Sequence, residues 1–485
     1  MNDMPSPSSN EMEKETVTFT DIFRIDDGLG KEKDFAGIKY ANESLSIYLP
    51  RGLGQNLKKY LDDARLMKAN EDVESELKED FFLLLKVLDD ESLMKEISLQ
   101  NPDFKMFRDF PMKAYTDILD YFLNNGYFVE ATSEYKKSSG GKINWGRTIK
   151  MINPQLIEEG GNSYNIVYLD YIARKVNYRD DDLLSRIYKF CVHNAAEKIG
   201  PLYDILPSDV EEPDLEPNYD LFLEIIQSKM ANTFNDKHLE LFKTMEQIVG
   251  FLAGKSFFNT EKPTEAAYGV NTFAPVWEKM VDKIFGTVSR KCKHDEYYPH
   301  LHYVGFKSKN LDGDEYRDED EDEYADVRSA LRPDTIMLCN NECRAEETFI
   351  LDSKYYRYGL FDADNAMKYL PGSESVCKQM AYAEYVTKEK NTGKVFNAFI
   401  MPYCADADKW GEASAKFTKK GLFKMCRTGY IYGNWKEVNG DILKKHPYHK
   451  IHCILLDMKS VMKSYTPSMD AQNDLADLID PIENL

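Results

Sequence analysis

Two short apolar runs, each tied to an acid, constrain this chain more tightly than any other feature. Arg332-Pro333-Asp334 precedes the run Ile336–Leu338, and Phe349-Ile350-Leu351 leads directly into Asp352-Ser353-Lys354, eighteen residues after Asp334. Side chains alternate faces along a strand, so Asp352 and Lys354 project to one side while Ser353 points away. Pairing of the two runs as a hairpin through the turn at 340–347 brings Asp334 to the same spot. The same triplet would also suit a surface ion pair at a strand end, since D-x-K is a common pattern. Here three apolar residues lead into the charged pair, and Tyr355 and Tyr356 follow it.

Two carboxylates beside an ammonium have the chemistry for phosphodiester hydrolysis. That reaction needs a hard cation to neutralise developing charge and a group to orient the attacking water. Mg2+ prefers oxygen ligands and keeps several waters, so Asp334 and Asp352 plus a substrate phosphate suffice to hold it. Lys354 is then placed to position the nucleophilic water or to stabilise the pentacovalent phosphate.

Two helices add groups near this point. In PVWEKMVDKIF, Glu278 shares a helical face with Val281, Asp282 and Phe285, which makes it either a further metal ligand or an ordinary solvated acid. In CKQMAYAEYV, Gln379 lines up with Tyr382, Ala383 and Val386. A buried amide there needs partners, whether a metal-bound water, a scissile phosphate or a core hydrogen bond.

At 485 residues the chain exceeds one ordinary core. Residues 1–16 read as a loose tail without a secretory signal, and 17–200 as an N-terminal mixed α+β domain that binds DNA or a partner. Residues 201–219, with four prolines among acids, read as a linker, and 220–485 as the catalytic α/β domain. Within the first part, the strand SIYL, helical spacing over 57–99, a helix over 112–123, a strand at 127–130 and a second strand over 143–151 are compatible with a winged-helix-like unit. In the second, helices are expected over 221–252, 276–285 and 375–388, and strands at 395–401 and 452–456 complete a central mixed sheet flanked by helices.

The net charge of −21 runs against phosphate binding, which Lys and Arg drive. Much of it is local: 312–328 is an almost continuous acidic insertion, and 208–220 and the tail from 470 add to the deficit. A basic cluster stands out at Lys136, Lys137, Lys142, Arg147 and Lys150, with Trp145 available to stack. It suits backbone phosphates, as it would suit simple solvation. Eight scattered cysteines fit reduced thiols and a cytoplasmic location. Cys292, His294, His300, His302, Cys339 and Cys343 lack the spacing of a structural zinc site, and no apolar run reaches the roughly 18 to 20 residues of a membrane span.

The runs FAPVWEKM, RPD, ILDSKYY and LPGSESVCKQMAYAEYV, with GKINWGRTIK upstream, resemble in that order the LlaJI family of restriction endonucleases, itself similar to McrC-type nuclease subunits. The resemblance implies a PD-(D/E)xK nuclease core that cuts double-stranded DNA with Mg2+ in a restriction-modification system. Position by position, it assigns the core roles to Asp334, Asp352 and Lys354 and the flanking helix positions to Glu278 and Gln379. Lys142, Asn144, Trp145, Arg147 and Lys150 are the DNA-contact candidates. It also implies a McrB-like AAA+ GTPase subunit and a cognate DNA methyltransferase as partners. Two other readings stay open: a McrC-like adaptor that stimulates an AAA+ GTPase, and a RecB-like repair nuclease.

Overall fold

A computed structural model describes residues 23–25, 34–41, 44–54, 70–138, 142–158, 164–179, 182–254, 265–288, 297–303, 325–341, 344–358, 366–390, 394–405, 417–418 and 421–481. The chain is mixed α/β and divides into two compact units, one made of Met1–Phe107 with Ala267–Leu485 and the other of Arg108–Ala266. The tail at 1–16 and residues 312–324 of the acidic insertion lie outside the described residues. Ala325–Ala330 forms a strand paired antiparallel with His300–Tyr303.

The first unit is organised by a five-stranded mixed sheet. Its strands are β1 (Thr335–Asn341), β2 (Arg344–Ser353), β3 (Val395–Tyr403), β4 (Met425–Ile431) and β5 (Ile451–Asp457), in the order β1-β2-β3-β5-β4. β1 and β2 form the antiparallel hairpin, with Thr335 opposite Leu351 and Ile336 opposite Ile350. β2, β3 and β5 run parallel, with Leu351, Ala398 and His452 in register across them. β3 and β5 are buried from end to end, which is why VFNAFIMPY and IHCILLD read as near-continuous apolar runs instead of alternating ones. β4 closes the far edge antiparallel to β5.

Helices cover both faces. α1 (Ala274–Phe285), α2 (Ser373–Lys390), α3 (Met458–Lys463) and α4 (Met469–Ile479) belong to this unit. On the face of Ile350, Phe399 and Cys453, α2 inserts Val376, Met380, Ala383 and Val386. α1 lies on the other face: its Asp282 accepts a hydrogen bond from Thr335, whose cross-strand partner is Leu351. Trp277, fully buried, ties α1 to the sheet by donating from Nε1 to the Ile400 carbonyl at 3.4 Å. A second five-stranded sheet joins segments from both sides of the intervening unit: Phe23–Ile25, Ser44–Leu49, Ala36–Ala41, Glu265–Val270 and Met106–Arg108. Gly37 and Gly269 allow its middle strands to close up, since a Cβ on Gly37 would lie 2.2 Å from the Tyr268 carbonyl oxygen.

The second unit packs helices Met112–Asn125, Leu183–Ile199, Tyr219–Ala231 and Asp236–Leu252 with small antiparallel sheets. Two local expectations fail here for identifiable reasons. The single helix at 221–252 is interrupted because Asn235 turns its side chain back to accept from the amides of Lys237 and His238, starting a new helix. The strand at 143–151 is mostly helix, Trp145–Met151, because Asn144 caps it by accepting from the Arg147 amide at 3.0 Å. The stretch 201–219 lies inside this unit, where Leu202, Ile205 and Val210 are buried.

Candidate active site

The hairpin delivers the acids to one place. Asp334 immediately precedes β1 and its Oδ2 accepts from the Ser353 backbone amide at 2.9 Å, so it is held against the last residue of β2. Asp352, only 5% exposed, points to the α2 face one residue earlier. Lys354 reaches back to it, with Nζ 2.7 Å from Asp352 Oδ1. The three sequence-derived core residues therefore form one cluster at the C-terminal end of β2.

Electrostatics within the cluster are dominated by crowding of like charge in a dry setting. Burial, then the negative charge of Asp352, then that of Glu278, hold the Asp334 carboxyl well above the usual carboxylate range, with Lys354 opposing them. Burial acts to lower the Lys354 ammonium's pKa, but the charge and hydrogen bond of Asp352, with Asp334 behind it, outweigh burial and leave it raised. A proton is thus retained by Asp334 where an isolated aspartate would have lost it.

The helix residues take different positions. Glu278, on α1, is near enough to raise Asp334. Gln379 is completely buried on α2 and donates from Nε2 to the Ile350 carbonyl at 2.7 Å, a bond into the backbone of the strand that carries Asp352. Tyr382, one turn further along α2, was not singled out by sequence. Its hydroxyl is pushed up to about 12 by burial and then by the charges of Asp352 and Asp334, so it lies within electrostatic reach of the acids. Its spacing of three from Gln379 was the available signal.

Arg51 is the second group that sequence reading missed. Its backbone amide donates to the Tyr355 hydroxyl at 2.7 Å, its guanidinium bonds the Tyr355 carbonyl, and it lies over the Tyr355 ring at 4.6 Å. The segment directly after Lys354 is therefore pinned from a point 304 residues away in sequence. A separation of that size leaves no local pattern to read.

For a divalent ion the donor set is two hard carboxylates whose burial and mutual repulsion favour a proton on Asp334. A cation there would replace that proton and relieve the crowding, so Asp334 and Asp352 fit Mg2+. Among the described residues no group of three His, Cys, Asp or Glu side chains is already gathered as an ion site. Of the residues considered for zinc, Cys339 is a buried free thiol in β1, and Cys292, His294 and Cys343 lie outside the described residues.

In the second unit the basic cluster is partly neutralised. Lys136 pairs with Glu134 and Lys137 with Asp170, each at 2.6 Å, and Arg147 lies over the Tyr135 ring at 4.0 Å. Lys142 and Lys150 are exposed and make no ion pair among the described residues. Trp145 is 52% exposed beside Tyr168 and Tyr171. Asn144 has a structural task, the helix cap. Among the described residues no helix is long and apolar enough to cross a membrane.

Comparison with known proteins gives one family. A family model described as LlaJI restriction endonuclease matches residues 82–419. No curated protein matches. Among solved structures, a half-complex from the tetradecameric assembly of Thermococcus gammatolerans McrB AAA+ hexamers with bound McrC matches at 10% identity and a TM-score of 0.29, covering 92% of this chain and 83% of that one, a likeness too low to carry an argument.

Proposed function

We propose that this chain, which belongs to the LlaJI restriction endonuclease family, hydrolyses phosphodiester bonds of double-stranded DNA at the Asp334–Asp352–Lys354 cluster, within a PD-(D/E)xK-type core. The observation that carries the reading is the convergence of two carboxylates and one ammonium at the end of β2, with Asp334 held by the Ser353 amide and Lys354 on Asp352.

Asp334 and Asp352 would hold Mg2+, which when bound supplies charge neutralisation at the scissile phosphate and a readily ionised water. The chain's own groups do the rest. Asp334 releases its retained proton to become a full ligand. Lys354, kept charged by Asp352, presents its ammonium to the phosphate oxygens as negative charge accumulates, or orients the attacking water. Gln379 fixes β2 through the Ile350 carbonyl, Arg51 fixes the segment after Lys354, and Tyr382 closes the α2 side. Glu278 adds negative potential from α1 and so favours the cation.

Lys142, Trp145, Arg147 and Lys150 are proposed DNA contacts, supported by two exposed cations without acidic partners and a half-exposed indole. Partnership with an AAA+ GTPase of the McrB kind and with a methyltransferase rests on the sequence resemblance. The test is a cleavage assay on plasmid DNA with Mg2+, with and without such a GTPase. Asp352→Ala and Lys354→Ala are expected to abolish cutting while DNA binding persists. Undiminished cutting by both variants removes the cluster from the mechanism.

A further inference from the structure

A second charged site lies on the opposite face of the main sheet. A pocket of about 740 Å³ is lined by Arg344, Lys394, Arg427, Lys444, Lys450 and His452. His452 stands in register with Leu351 two strands away, and Leu351 faces away from Asp352. Arg344 begins β2, eight residues before Asp352, or roughly 26 Å along the strand. The pocket is therefore separate from the carboxylate cluster.

Its charges are unevenly satisfied. The two acids on its wall, Glu347 and Asp480, are engaged by Arg344 and Lys394: Arg344 lies 2.6 Å from Glu347, and Lys394 lies 3.4 Å from Asp480. Arg427 donates only to the Ile479 carbonyl, and Lys450 rests over the Tyr430 ring at 4.4 Å. Neither has a carboxylate partner among the described residues. His452 is 8% exposed, and its Nδ1 has no hydrogen-bond partner among them. Burial, then the charges of Arg427 and Lys450, push its pKa down to about 4. In a chain of net charge −21, two unbalanced cations converging on a buried, unpartnered imidazole are an arrangement that an anion would complete.

The volume exceeds that of one inorganic anion and falls in the range of small-molecule sites. Phe396, Leu443 and Ile479 add apolar wall for an uncharged part. We propose that this pocket binds the phosphate of a nucleotide, with Arg427 and Lys450 as its cationic contacts and His452 as a neutral donor. The nucleotide is either free or part of a nucleic-acid strand, and the proposal does not depend on the nuclease reading.

The test uses the full chain in EDTA, where no metal-dependent cutting occurs, and titrates it with inorganic phosphate, deoxyadenosine monophosphate and a short DNA duplex. In Arg427→Ala/Lys450→Ala, affinity for the nucleotide or the duplex should fall at least tenfold. A fall for the mononucleotide identifies a free nucleotide as the source; a fall for the duplex alone identifies a strand. Lys450→Gln and His452→Gln, with thermal melts alongside, cover the case in which the double variant does not fold, and each should weaken the same probe severalfold. Absence of binding by all three probes, or affinities unchanged in every variant, overturns the proposal. Loss of cleavage, or its survival, in Asp352→Ala bears only on the nuclease reading.

Discussion

Replacing Asp334 by Asn should make the metal-free protein more stable, in a pH-dependent way. Asparagine resembles the protonated aspartic acid: its carbonyl oxygen can still accept from the Ser353 amide, and its NH2 can donate toward Asp352. Burial and the charges of Asp352 and Glu278 raise the Asp334 pKa in the folded state above its ordinary value of 3.8. Between those two pKa values the folded state holds more protons than the unfolded one, so stability falls as pH rises, at up to about 1.4 kcal/mol per pH unit. The variant has no such proton to lose. Denaturant unfolding in EDTA from pH 4 to 8 should show the two proteins about equally stable at the acid end. Asp334→Asn should then pull ahead progressively toward neutral pH, by no more than about 1.4 kcal/mol for each pH unit crossed. Mg2+ should reverse the order by stabilising only the wild type. Parallel stability curves, or a variant weaker at every pH, would refute the claim that burial and crowding raise the Asp334 pKa.

Three further outcomes follow from the same physics. Metal affinity measured by titration should rise with pH up to the raised Asp334 pKa, because the retained proton must leave before the ligand forms; a pH-independent affinity would contradict this. Lys459→Met should lower stability by about 3 kcal/mol, since Lys459 lies 2.6 Å from Glu76 and 3.0 Å from the fully buried Asp80, whose pKa is already raised to about 6 chiefly by burial; a loss below about 1 kcal/mol would mean the acids find other partners. Lys142→Glu with Arg147→Glu should reduce the salt dependence of DNA binding by a slope of about 2, and an unchanged slope would remove both from the interface.

The parts legible in sequence were those encoded by local alternation and punctuation. Apolar triplets running into Asp352-Ser353-Lys354 and out of Arg332-Pro333-Asp334 specify a hairpin and the face on which each charge emerges, and β1 and β2 follow that pattern. Helical spacing likewise located α1 and α2, and with them the stations of Glu278 and Gln379. Side-chain capping was harder to read: Asn144 starts a helix where the pattern suggested a strand, and Asn235 starts a second helix inside a stretch that read as one. Least legible were contacts between remote segments. Arg51 on Tyr355 and the pocket assembled from Arg427, Lys450 and His452 depend on sheet order, which no local pattern encodes.

The central claim is that Asp334 and Asp352 together hold a hard divalent ion, and anomalous diffraction from crystals soaked in Mn2+ tests it most directly. A single strong peak bridging the two carboxylates, absent from Asp352→Ala crystals, is the predicted result. Empty density there, with manganese elsewhere or nowhere in fully soaked crystals, would contradict it.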